Sequence, residues 1–374
     1  MPKKLVNADG SVGERNDVVL AGLNHKMGHR GTTNCLLNFG EGKFKPFGQA
    51  GAIGYLIGEP GNGLAYMFHM MNEARIGVGL AATVLGYTGY LHALEYARNR
   101  PQGRHPANKD PTKPQAPIVE HADVKRMLLA QKAYVEGALG LCLYCARLVD
   151  DEHTAPDERT RRDASLLLDI LTPIAKSWPA QWCLAANDLA IQVHGGYGYT
   201  RDYNVEQFWR DNRLNAIHEG TNGIQALDLL GRKVRMQGGA AFELFAARVR
   251  DTITRAAQAE DASIAQYAAQ LEANLQRLGE VTQTLWRNSD VERTLANASV
   301  YLDAFGHITI AWIWLEQALI ALKSMHSARD LELYRGKLSA CRYFFIWELP
   351  KVKAMLDLLE SLDTTTLEMR DEWF

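Results

Sequence analysis

The pattern of apolar and polar positions changes character once along the chain. Over positions 1–61, short apolar pieces (Val18-Val19-Leu20, Cys35-Leu36-Leu37 and Ala52-Ile53-Gly54-Tyr55-Leu56-Ile57) alternate with Gly, Asn, Asp and Pro, the pattern of brief strands and turns. From Gly63 onward, apolar residues recur at helical spacing through Leu64, Met67, Phe68, Met71, Ile76, Leu80, Val84, Leu91 and Leu94. Unbroken, this pattern predicts a helix of about nine turns. Pro101, Pro106, Pro111, Pro114 and Pro117 then mark an exposed connection too proline-dense for a helix. Two more long helices are predicted over 120–152 and 157–193, the second kinked or broken at Pro173 and Pro179. A glycine-rich and aromatic stretch over 194–223 reads as a structured turn region. Helical spacing resumes over 224–362, with breaks near Gly238-Gly239, Asn288-Ser289 and Pro350. Trp286, Trp312, Trp314 and Trp347 lie in this tail and equip it to bury a core of its own.

Composition narrows the function classes. The 374 residues carry 41 Lys and Arg against 43 Asp and Glu, so no basic surplus marks a nucleic-acid binder. Hydrophobic residues make up 47% of the chain, which excludes a disordered polypeptide. Five cysteines are too few for a disulfide framework and fit a reducing compartment. No uninterrupted apolar run reaches the roughly 18 residues of a membrane span. The start, Met1-Pro2-Lys3-Lys4-Leu5, has no apolar signal core. A soluble, cytoplasmic protein is expected.

The common catalytic templates fail. Gly77-Val78-Gly79-Leu80-Ala81-Ala82 fits a loose dinucleotide pattern, but a helical pattern precedes it where a strand is needed, so close helix packing is the better reading. Cys142 and Cys145 form a CxxC inside an apolar run with no second pair, which reads as core and not as a metal site. There is no HExxH, GxSxG or Walker A motif, and no metal is expected.

The informative region runs over 192–225. Gly195 and Gly196 allow close approach of a backbone to a ligand or to another chain. Arg201, Arg210 and Arg213 alternate with Asp202, Glu206 and Asp211 and suggest an ion-pair network fixing a turn. Glu219 stands between Ala216-Ile217 and Gly220, a setting in which a carboxylate is desolvated and tuned as a base. As chemistry alone, a solvated surface group is the commoner role for such a residue.

The run Gln192-Val193-His194-Gly195-Gly196-Tyr197-Gly198-Tyr199-Thr200-Arg201-Asp202-Tyr203, then Arg210-Asp211, then Ile217-His218-Glu219-Gly220-Thr221-Asn222, closely resembles the carboxy-terminal signature of the acyl-CoA dehydrogenases. Met70-Met71-Asn72-Glu73-Ala74-Arg75 is similar to the start of that family's first carboxy-domain helix, and Tyr96-Ala97-Arg98-Asn99-Arg100-Pro101-Gln102-Gly103-Arg104 to a later segment. Leu23-Asn24-His25-Lys26-Met27-Gly28 resembles its late β-domain. The tail beyond Arg235 resembles the long-tailed branch that includes methylmercaptopropionyl-CoA dehydrogenases.

The resemblance implies a mainly α fold: a β remnant over 1–61, a four-helix-bundle catalytic domain over 62–235 and an additional helical domain over 236–374. It implies FAD as cofactor, an acyl-CoA thioester as substrate, and a trans-2-enoyl-CoA as product. Glu219 matches the α-proton base, and its backbone amide, with a flavin hydroxyl, the polarising contacts on the thioester carbonyl. Thr221 matches a flavin contact, Arg100 and Gln102 match contacts to a neighbouring subunit's FAD, and Gln192, Gly195 and Gly196 match the strip along its pyrophosphate. Arg75, His218 and Gly220 match substrate-side positions, with His218 replacing the usual Tyr, and Gly223 replaces a usual Glu or Gln. A homodimer or homotetramer passing electrons to electron-transfer flavoprotein is implied. The family's amino-terminal helical domain and much of its β-domain have no counterpart here, so a carboxy-terminal portion of a longer dehydrogenase is expected. An acyl-CoA oxidase, and an inactive or partner-completed helical subunit, stay open as alternatives.

Overall fold

The computed structural model describes residues 1–68, 70–107, 110–325 and 330–374. The helical and proline-rich readings also cross positions 69, 108–109 and 326–329, which lie outside the described residues, as does the Phe68 side chain. The chain divides into two units, Met1–Met71 and Asn72–Phe374.

In the first unit, β1 (Lys4–Val6) pairs antiparallel with β2 (Val12–Arg15), and β3 (Val18–Leu23) pairs antiparallel with β4 (Cys35–Phe39). The second pair runs in register from Val18 opposite Phe39 to Leu23 opposite Cys35, with an irregularity between Leu20 and Gly22. Two buried polar residues organise the loops that follow. The Asp17 carboxylate accepts from the amides of Gly42 at 2.7 Å, Gly51 at 3.1 Å and Phe44 at 3.2 Å. Burial opposes its ionisation, and these backbone donors outweigh burial and hold its carboxyl below the usual range. Asn16 donates to the Ile53 carbonyl at 2.8 Å and accepts from the Ile53 amide at 2.8 Å. That exchange explains a departure from the sequence reading. Ala52–Ile57 forms no strand, because Asn16 takes the backbone groups of Ile53 that a ladder would need. The unit ends with α1 (Gly63–Phe68).

The second unit is helical. It begins with α2 (Met71–Asn99), α3 (Ala122–Thr154) and α4 (Glu158–His194). Asp157 caps α4 by accepting from the Thr160 amide at 2.8 Å, and Gly195, at φ +60°, ends it. Short elements follow: α5 (Val205–Asn212) and α6 (Asn222–Gly231). The tail holds α7 (Ala240–Ala257), α8 (Ala262–Arg287), α9 (Val291–Leu295), α10 (Ala298–Met325), α11 (Leu331–Tyr343), α12 (Lys351–Glu360) and α13 (Thr365–Glu368). By length and composition α10 is apolar enough to cross a membrane, but most of it is buried inside the protein. Trp314 of α10 donates its indole N–H to the Ala133 carbonyl of α3 at 3.0 Å, tying tail to bundle.

Pro173 and Pro179 do not break α4. Pro179 has no N–H for the Ala175 carbonyl four residues earlier, and α2 packs against that carbonyl instead. Gly79 makes the approach: a Cβ there would lie 1.9 Å from the Ala175 oxygen. The small residues around Gly77–Ala82 are therefore a helix-crossing device. Cys142 and Cys145 are buried core thiols, and burial pushes Cys142 up to about 12. Among the described residues no cluster of His, Cys, Asp and Glu is arranged to hold a metal.

Candidate active site

The candidate residues fall into two sets, at opposite ends of the second half of α4. The first gathers where α4 stops. Gly195 turns the chain, and His194 packs its ring on Tyr96 with centroids 4.3 Å apart. The His194 Nδ1–H donates to the Ala190 carbonyl at 2.8 Å, while burial, which dominates, pushes the imidazole pKa down. The proline-rich connection is pinned, not loose. The Gln102 amide donates to the Ala116 carbonyl at 2.9 Å, the Ile118 amide to the Arg100 carbonyl at 2.8 Å, and the His121 ring meets the Gln102 carbonyl at 2.7 Å. This places Gln102 beside Gln192 and Gly195 along a groove of about 400 Å³. A Cβ on Gly195 or Gly196 would meet nothing within 4 Å, so the backbone there faces open space. Arg100 lies next to it, its guanidinium 5.8 Å from the Tyr197 ring centroid and its Nε–H buried without an acceptor among the described residues. Side-chain amides, bare backbone and an unanswered arginine donor form a surface suited to phosphate oxygens.

The second set surrounds the turn before α6. The Ile217 and His218 amides both donate to the Leu214 carbonyl, at 2.8 and 3.2 Å, and the His218 ring nitrogen lies 3.0 Å from the same oxygen. Glu219 and Gly220 then take positive φ values of 54° and 85°. For glutamate this conformation is strained, and such strain persists only where neighbours enforce it. Thr221 caps α6 by accepting from the Ile224 amide at 3.3 Å, and Gln225 reaches back to donate to the Glu219 carbonyl at 3.1 Å. The Glu219 side chain is exposed, the commoner setting for a charged residue in a turn. Of the charged residues over 201–213, Glu206 and Arg210 pair at 2.6 Å with Asp211 also acting on Arg210, whereas Arg201, Asp202 and Arg213 make no ion pair among the described residues.

Behind the turn, Arg75 of α2 pairs with Asp228 of α6 at 3.0 Å. Lys176 of α4 is fully buried, and its ammonium has no hydrogen-bond partner among the described residues. Burial first, and Arg75 second, push its pKa down to about 8, while Glu219 opposes them. Sequence reasoning missed Lys176. The available signal was a lone lysine inside the apolar run Leu166–Ala180.

Two family models match in tandem. Acyl-CoA dehydrogenase, C-terminal domain, covers residues 61–234, and acetyl-CoA dehydrogenase C-terminal like covers residues 245–370. A butyryl-CoA dehydrogenase of Syntrophomonas wolfei is 31% identical, aligned over 100% of this chain and 61% of its own length. A 3-methylmercaptopropionyl-CoA dehydrogenase of Ruegeria pomeroyi is 32% identical over 92% of this chain and 56% of its own. The chain thus spans about 60% of the length of such relatives. An acyl-CoA dehydrogenase of Bacillus anthracis complexed with FAD shares the fold at a TM-score of 0.73 and 18% identity, over 96% of this chain and 60% of that one. With both of its helical segments matched and the signature around Glu219 in place, the chain belongs to the acyl-CoA dehydrogenase family through its carboxy-terminal domains.

Proposed function

We propose that the chain serves FAD-dependent α,β-dehydrogenation of an acyl-CoA thioester, with Glu219 as the α-proton base. The observation that carries this reading is the turn itself. Glu219 is held at a strained positive φ by Gln225 and by the cap of α6, although glycine or asparagine would tolerate the position better. In the reaction the Glu219 carboxylate takes the α-proton, and the β-hydrogen leaves with its electron pair as the Cα–Cβ double bond forms. Bound FAD would supply the two-electron acceptor. The Glu219 backbone amide donates to the thioester carbonyl as charge develops there, Thr221 contacts the flavin side, and His218, Gly220 and Arg75 border the substrate.

The groove at the end of α4 fits the cofactor. Arg100, Gln102 and Gln192 provide donors for the FAD pyrophosphate, and Gly195 and Gly196 leave it room. Lys176 and His194 stand 18 residues apart on α4, about 27 Å along the axis. That separation supports a homodimer or homotetramer in which the groove serves the FAD of a neighbouring subunit. In this reading residues 62–235 are the catalytic domain, 236–374 the added tail, and electron-transfer flavoprotein the acceptor in the cytoplasm. Dye reduction without oxygen uptake separates this from an oxidase.

The test is the visible spectrum of the purified protein before and after anaerobic addition of short and long acyl-CoAs. A yellow protein that bleaches, and a Glu219→Gln variant that stays yellow without bleaching, are expected. Bleaching by Glu219→Gln would overturn the role of Glu219. A second reading, a subunit completed by a partner, is favoured by the open apolar groove of about 680 Å³ lined by Leu20, Leu37 and Phe39. A colourless protein that FAD does not restore, co-purifying with a second polypeptide, would select it.

A further inference from the structure

Among the described residues, Lys176 is a buried cation without a hydrogen-bond partner, and the Glu219 carboxylate makes no ion pair. The charged groups acting on the Lys176 ammonium are Arg75 from α2 and Glu219 from the turn. Arg75 cannot answer Glu219 freely, because Asp228 of α6 holds it at 3.0 Å and also holds Arg232 at 2.8 Å. From α3, Cys142 contributes no charge, since burial pushes its thiol up to about 12. The crossing of Gly79 over the Ala175 carbonyl fixes the position of Lys176, the next residue on α4, relative to Arg75, one turn earlier on α2. Burying an ammonium with no counter-charge is costly, and a carboxylate turning inward relieves that cost.

We propose that Lys176 is a positioning residue for Glu219: its ammonium draws the carboxylate from its exposed orientation into the site and holds it aimed until the thioester is in place. The inference rests on the proposed role of Glu219 as base. Lys176 acts through Glu219 and does not itself exchange a proton with substrate.

The test has two arms. In the first, lysine labelled with ¹³C at the ε-carbon is titrated by NMR without acyl-CoA, and Lys176→Arg identifies the Lys176 resonance. Glu219→Gln, a change at an exposed side chain, is expected to lower the Lys176 midpoint by about 0.5 to 1 pH unit, because an opposite charge is removed. An unchanged midpoint overturns the proposal. In the second arm, Lys176→Met is expected to slow acyl-CoA bleaching at least tenfold with flavin colour and acyl-CoA affinity retained, and Lys176→Arg to recover much of the rate. Bleaching at the wild-type rate in Lys176→Met also overturns it. If Lys176→Met does not fold, the first arm still decides. If instead Glu219→Gln bleaches normally while the midpoint shifts, the base assignment fails and the coupling stands.

Discussion

Arg75 and Asp228, 153 residues apart in sequence, form an ion pair at 3.0 Å in which the two side chains are only 7% and 12% exposed. The pair joins α2 to α6, the helix that follows the Glu219 turn. Asp228→Asn would leave the Arg75 charge buried beside Lys176, and breaking a buried pair in this way costs about 3–5 kcal/mol. The double variant Arg75→Met with Asp228→Leu is expected to cost less, because neither member of the pair is left as an unpaired charge. Urea unfolding of the three proteins checks the order.

Gly195 and Gly196 separate backbone need from ligand space. Gly195 sits at φ +60° and ψ −138°, so Gly195→Ala is expected to destabilise by about 1–2 kcal/mol although its methyl meets no atom. Gly196 has no positive φ and faces open space, so Gly196→Leu is expected to stay within about 0.5 kcal/mol of the parent. Its side chain nevertheless enters the open space one residue beyond the groove-lining Gly195, and FAD titration should show weakened retention. Full retention by Gly196→Leu would remove Gly196 from the cofactor site.

His307 and Asp303, one turn apart on α10, oppose each other in acid. Burial pushes the His307 imidazole down to about 4, so the unfolded chain binds the proton more tightly. Stability is therefore present above the ordinary value of 6.5 and falls as the pH drops through 4. That fall amounts to about 3 kcal/mol. Burial raises the Asp303 carboxyl to about 6 against a weaker opposing hydrogen bond from Gln181, so its contribution is present below 3.8 and is lost as the pH rises through 6. The two slopes largely offset. Asp303→Asn should become more acid-sensitive than the parent between pH 4 and 6, and His307→Phe less so. Urea midpoints across that range measure both.

Much of the helical order was legible because amphipathic spacing is a local property. The ends predicted for the helices over 120–152 and 157–193 lie within two residues of α3 and α4, where caps and breakers act on their own neighbours. Of the kink or break expected at the prolines of α4, the break does not occur, for a matching reason. Whether Pro179 breaks a helix depends on what meets the freed Ala175 carbonyl, and Gly79 lies 96 residues earlier in the chain. The strand expected at Ala52–Ile57 failed in the same way, its backbone groups taken by Asn16.

The candidate site divides along that line. The sequence by itself determined the run around Glu219, the glycines that permit its turn and the end of α4, and the order of the helices, since each depends on residues close together in the chain. Only the tertiary structure decided that Gln102 and Gln192 share a groove, that Arg75 is committed to Asp228, and that Lys176 lies buried with no hydrogen-bond partner among the described residues. Charge pairing and desolvation depend on which distant segments meet, and that is set by packing rather than by spacing along the chain.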